Sequence, residues 1–209
     1  MLSFLPPILV HLNFSLQILS ILMAVIILHE LGHLFSAKRC KCKVNEFSVG
    51  FGKTIIQRKI NGTNYKLCWI LLGGYCALDG ELEYTKKKYA LTNLRYLQKL
   101  YIVFAGVAVN CLSGIFAFGF YSMFGIEYFQ WFGHFSILLG LSNLIILFPG
   151  IDGAYALLFL LEKPFGKKDG IALMNRAVEV GMFFLNVLNI VCIIYFGQVF
   201  IKWIWSLIR

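Results

Sequence analysis

Residues 14–37 read FSLQILSILMAVIILHELGHLFSA. At about 1.5 Å per residue this makes about 36 Å of helix, enough to cross a hydrocarbon core of roughly 30 Å. Its ionisable groups, His29, Glu30 and His33, gather near its end. A charged side chain inside a span costs about 2.5–3.5 kcal/mol on insertion scales. The cluster therefore points to chemistry rather than to anchoring at an interface. No basic segment precedes the run and no small-residue cleavage site follows it, so it is expected to be a retained first helix and not a signal peptide.

The rest of the chain agrees with a membrane setting. Of 209 residues, 59% are hydrophobic and only 14% charged, too little charge to cover a soluble domain. Three more runs are long enough to span: 99–123, 133–161 interrupted by FPGIDG at 148–153, and 182–206. The expected fold class is an all-α polytopic membrane protein of about four transmembrane helices, forming one membrane-embedded domain over 1–209.

Charge sets the expected orientation. The net charge of +9 is concentrated in two loops, 38–98 and the segment holding Lys163, Lys167, Lys168 and Arg176. Basic loops stay in the cytosol, so both chain ends are expected outside. The charge is a topology signal, and no nucleic-acid partner is expected. Cys40, Cys42, Cys68, Cys76, Cys111 and Cys192 follow no disulfide framework. Four of them fall on the reducing cytosolic side. Cys40 and Cys42 lack the second pair that a structural zinc site takes.

Loop 38–98 is more than a linker. EFSVGFG, KTIIQRKI and NYKLCWILLGGY read as three strands, with Asn61-Gly62 as the hairpin turn before the last. A small membrane-associated β-sheet over 44–76, between the first two spans, is the expectation. Ile55, Ile56, Ile60, Leu67, Trp69 and Ile70 supply too much apolar surface for a disordered loop. Lys86–Lys88 could meet anionic headgroups, although a solvated loop is the simpler account.

His29 and His33 are one helical turn apart, so both imidazoles lie on one face and can hold one metal ion. Glu30 stands beside them. H-E-x-x-H on a helix is the zinc-hydrolase arrangement, with the Glu as general base. Zinc there brings the pKa of water down to about 7. A catalytic zinc takes three protein ligands. His11 and His134 fall on the far side of the expected topology, whereas Asp152 is embedded, just after the helix breakers Pro149 and Gly150. Irregular backbone in a membrane is tolerated where it lines a cavity. That makes Asp152 the candidate third ligand.

These residues resemble the site-2 protease family of intramembrane zinc metalloproteases. HELGH (29–33), FSVGFG (47–52), LLGGY (71–75) with Asp79-Gly80-Glu81, FAGVAVN (104–110) and FPGIDG (148–153) occur in that family's order. Val107 and Ile146 stand where the family pattern has prolines. The resemblance implies a three-helix catalytic core, Zn2+ on His29, His33 and Asp152, Glu30 as base, and hydrolysis of a membrane-spanning peptide or protein in the bilayer. It further implies an asparagine that helps hold substrate near position 143, where Asn143 stands one residue early. The short loop between the second and third spans leaves no room for the PDZ domain of many bacterial members, so a near-minimal enzyme is expected.

Candidate substrate-binding residues are Gly73, Gly74 and Tyr75, through an edge strand near 71–75, together with Asn110 and Asn143. Asn110 and Ser113 could line a water path or simply pack helices. Expected substrates are signal-peptide remnants, small precursor peptides or regulatory membrane proteins. The expected location is a bacterial cell membrane, with the active site toward the cytosol. The competing reading is a non-catalytic zinc-binding scaffold or transporter.

Overall fold

The computed structural model describes residues 7–81, 85–144, 152–166, and, within 168–180, residues 168–173, 175–177 and 179–180. Its elements are α1 (Pro7–Arg39), β1 (Val44–Ile60), β2 (Thr63–Leu78), a 3-10 turn (Leu91–Asn93), α2 (Tyr96–Phe124), α3 (Glu127–Ser142) and α4 (Asp152–Phe165). Two stretches, Ser15–Arg39 in α1 and Tyr96–Phe124, are long and apolar enough to cross a membrane. They match the first two expected spans. α3 and α4 flank the expected break in the third span. The segment 145–151 and the expected fourth span, 182–206, lie outside the described residues.

Helix ends follow local chemistry. α1 ends in paired closing bonds: Cys42 N–H to Ala37 O at 2.8 Å and Lys41 N–H to Lys38 O at 3.0 Å. This is the geometry of a Schellman cap, which needs a left-handed residue. Lys41 fills that position at φ 58°. α2 begins where the Arg95 N–H donates to Gln98 Oε1 at 3.1 Å. It ends at Gly125, φ 67°, whose N–H reaches Tyr121 O.

The sheet differs from the expected three strands. Asn61 and Gly62 form the turn as expected, at φ 49° and 83°, the two-residue form that matches strand twist. EFSVGFG and KTIIQRKI, however, form one long strand, β1, and β2 runs on to Leu78. β1 bends at Gly50 and Gly52, φ 87° and 81°, where the register also shifts. Glycine accepts this backbone without a Cβ clash, so the glycines bend a strand instead of separating two. β1 and β2 pair antiparallel, with Val49 opposite Gly74 and Val44 opposite Leu78. Residues 46–49 are flanked a second time, by Asn64–Leu67, whose numbers rise in step with theirs. Residues 74–78 pair on one side alone among the described pairings and so form an edge of the sheet.

The main core lies where the end of α1 (Leu34, Ala37), the sheet (Val44, Phe47, Leu78), the start of α2 (Ile102, Val103) and α4 (Ala154, Leu158, Phe159) meet. α1 and α2 approach closely. A Cβ on Gly32 would fall 2.7 Å from Ala105 O. Lys99 of α2, 2% exposed, pairs with Glu162 of α4, tying the two helices together through a buried ion pair.

Candidate metal centre

His29 and His33 project from α1 one turn apart, and Asp152 opens α4. His29 Nε2 and His33 Nε2 are 3.2 Å apart. The Asp152 oxygens lie 3.1 Å from His29 Nε2 and 3.2 Å from His33 Nε2. Two distant parts of the sequence thus place three donor atoms around one point.

The spacing tests whether a metal fits. Tetrahedral ligands on bonds of about 2.0–2.1 Å sit about 3.3 Å from one another. The three observed separations fall close to that edge. Asp152 Oδ2 is also buried, with the His29 ring nitrogen as its one polar neighbour among the described contacts, and a buried acceptor so poorly satisfied is costly. Two imidazole nitrogens and a buried carboxylate aimed at one point suit a zinc-sized cation.

Each ligand is braced. His33 Nδ1 lies 2.9 Å from Ile102 O. His29 Nδ1 lies 3.2 Å from the Asn110 side-chain amide. Gly153, next to Asp152, donates its N–H to Asn143 O at 2.7 Å, and a Cβ there would meet Leu144 O at 2.6 Å. The glycine lets α4 begin directly against the end of α3, which sets the position of the aspartate.

A cavity of about 260 Å³ opens over the three donors. Glu30, Gly74, Tyr75 and Asn143 line it, together with Cys76, Glu81 and Tyr155. The Cys76 N–H hydrogen-bonds the Glu30 carboxylate. Gly73 and Asn110 are not among the lining residues. Gly73 faces the Phe51 ring, and Asn110 is fully buried behind His29. His134, set aside on topology, hydrogen-bonds Gln130 O in α3.

Tyr75 is fixed at the rim. Its ring stacks on Phe51 and its hydroxyl donates to Glu46, which also pairs with Lys66 at 2.5 Å. Burial pushes the Glu46 carboxyl up, but the hydrogen bonds from Lys66 and Tyr75 outweigh it and hold the group below the usual range. Glu81 is a third carboxyl of the cavity, beside Glu30 and Asp152, raised by burial and hydrogen-bonded by the Leu78 N–H and by Tyr155. Burial also pushes the Cys42 thiol up to about 12, so it packs as an inert thiol.

Gly106, Glu81 and Tyr155 were not singled out from sequence as site residues. A Cβ on Gly106 would lie 2.5 Å from His33 Nε2 and 2.7 Å from His29 Cε1. The FAG triplet holding Gly106 was visible, but its contact with the imidazoles depends on how α2 docks. Tyr155 follows Asp152 by about one turn, a spacing that becomes meaningful once the aspartate is placed.

Residues 17–126 match the model of Peptidase family M50. A protein of Borreliella burgdorferi, provisionally named a zinc metalloprotease, is 43% identical over 54% of this chain and 29% of its own length. A Campylobacter jejuni protein of the same provisional name is 38% identical over 50% of this chain and 31% of its own. The regulator of sigma E protease of Haemophilus influenzae is 36% identical over 54% of this chain and 27% of its own length. The matched region thus spans less than a third of each of these relatives.

Proposed function

The chain belongs to Peptidase family M50, and from that premise we propose that it is a zinc metalloendopeptidase of the site-2 protease type, cutting membrane-embedded or membrane-anchored peptides. The observation that carries the reading is the convergence of His29, His33 and Asp152 beside Glu30, under a free sheet edge. The setting we propose is a bacterial membrane, spanned four times, with this centre toward the cytosol. α1 and α2 are the first two spans.

His29, His33 and Asp152 would hold the metal. Zinc held there would supply polarisation of the scissile carbonyl and a water nucleophilic near neutral pH. Glu30 accepts a proton from the attacking water and returns it to the departing amine. The Cys76 N–H keeps its carboxylate oriented toward the cavity.

A helical peptide bond has its carbonyl already engaged, so the substrate must be extended at the cut. An extended substrate strand along the edge at Gly74–Leu78 would run past Glu30 and pair with the backbone groups left open there, since Glu30 and Glu81 already take the Cys76 and Leu78 N–H groups. Gly74 brings that edge close, since a Cβ there would stand 2.7 Å from Ser48 O and 3.6 Å from Glu30 Cγ. Gly73 gives the Phe51 ring room beneath Tyr75. Asn143 stands across the cavity as a polar contact for the peptide. Backbone pairing reads little side-chain identity, which suits signal-peptide remnants, small precursors and regulatory membrane proteins alike.

The test is Glu30→Gln in the full chain, assayed on candidate membrane peptides with zinc content measured in parallel. Cleavage should fall by at least about hundredfold while zinc stays bound. Undiminished cleavage would remove Glu30 from the mechanism. Zinc binding with no cleavage by the unaltered chain across a membrane peptidome would favour a zinc-binding scaffold or transporter.

A further inference from the structure

An imidazole that gives one nitrogen to a metal must place its proton on the other. In His29 and His33 the Nε2 atoms face each other and the Asp152 carboxylate. The ring protons therefore belong on Nδ1, and each Nδ1–H needs an acceptor. For His33 the acceptor is Ile102 O at 2.9 Å. A carbonyl can only accept, so that tautomer is fixed. For His29 the group at hand is the Asn110 side-chain amide, whose nitrogen Nδ2 is placed 3.2 Å from Nδ1 while its oxygen Oδ1 is buried with no partner among the described residues.

We infer that Asn110 is the positioning residue of His29: its side-chain oxygen accepts the Nδ1–H and so keeps Nε2 free for the metal. The two ends of a carboxamide are assigned from their hydrogen bonds. An amino group turned to Nδ1 would force the ring proton onto Nε2, where Asp152 and His33 converge. The oxygen turned to Nδ1 agrees with the three donors. Such a bond also raises the basicity of the ligating nitrogen.

Asn110 is built to stay in place. It is 0% exposed. Its backbone carbonyl accepts from Ser136 Oγ at 2.9 Å and Ser113 Oγ at 3.1 Å, and these hydroxyls are 2.8 Å apart. A Cβ on Gly140 would stand 3.2 Å from Asn110 Cβ, so the glycine lets α3 press against it. α3 thus braces the residue of α2 that braces the ligand of α1. Asn110 acts from behind the ring and not through the substrate.

The inference rests on the proposal that this centre binds zinc. The experiment uses the full chain in lipid nanodiscs, with zinc affinity measured by chelator competition and ring tautomers read from 15N-labelled histidine. Asn110→Leu removes the acceptor at similar volume and should weaken zinc about 10–100-fold. Asn110→Asp keeps an acceptor oxygen and should retain wild-type affinity. In the wild-type zinc form the His29 proton should appear on Nδ1, a readout that holds even if the leucine variant fails to fold. Equal affinity in Asn110→Leu, equal loss in both variants, or a His29 proton on Nε2 would overturn the inference. A wild-type chain that does not bind zinc would instead remove the functional reading beneath it.

Discussion

Position 106 shows how little room surrounds the candidate metal ligands. With a methyl group there, the nearest imidazole atoms would be at 2.5, 2.7 and 2.8 Å, all inside normal contact. Gly106→Ala must displace a ring or part α1 from α2. Overpacking of this kind costs about 1–3 kcal/mol, or roughly five- to 150-fold in affinity. We expect Gly106→Ala to lose zinc by that factor, measured by chelator competition, with its helical circular dichroism unchanged. Retention of wild-type affinity would mean that the rings can yield at no cost. The histidines and Glu30 were legible in the sequence because their relation is local, one turn of one helix. Asp152 was legible as an embedded acid beside helix breakers. The parts played by Gly106 and Tyr155 were not, because they exist only between elements, and neither residue carries a pattern that says which partner it will meet.

Elements carry two further expectations. Lys41 closes α1 at φ 58°, a conformation that costs an L-residue roughly 1–2 kcal/mol. Lys41→Gly should stabilise the fold by about 1 kcal/mol in denaturant unfolding, and a loss of stability would mean that the Lys41 side chain holds the cap in some other way. The sequence pointed to the end of α1 through its change from apolar to basic. It did not reveal the cap, since glycine is the usual signal and none stands there. In the sheet, the Glu46 carboxyl is held below its ordinary value of 4.5. Its contribution is therefore complete above about pH 4.5 and is lost as pH falls through the lowered value. The melting-temperature gap between wild type and Glu46→Gln should be constant near neutrality and close in acid. A gap that widened in acid would reverse the sign. The Asn61-Gly62 turn was readable because turn type follows from residue identity. The single bent strand was misread because glycine punctuates and bends strands with the same symbol.

Across the whole molecule, the sheet, the metal ligands and the buried Lys99–Glu162 pair share one end of the α1–α2 pair, while the α2–α3 connection at Gly125 lies at the other. α2 runs for 29 residues between those ends, about 43 Å at the helical rise, which exceeds a hydrocarbon core of roughly 30 Å. One end must then face each side of the bilayer. The basic residues decide which. Lys38, Arg39, Lys41, Lys43, Lys53, Arg58 and Lys59 all lie at the sheet end, and Glu127 alone marks the other connection, which is the ground for the cytosolic placement we propose for the sheet end. In a cysteine-free background, Lys59→Cys and Glu127→Cys report the two sides, since both positions are exposed. A membrane-impermeant maleimide added to intact cells should label position 127 and leave 59 unlabelled until the membrane is opened. The reverse pattern would place the metal centre on the outer side. Substrates would then have to present their cut near the outer leaflet, and a cytosolic supply of extended peptide would no longer reach the free edge at Gly74–Leu78.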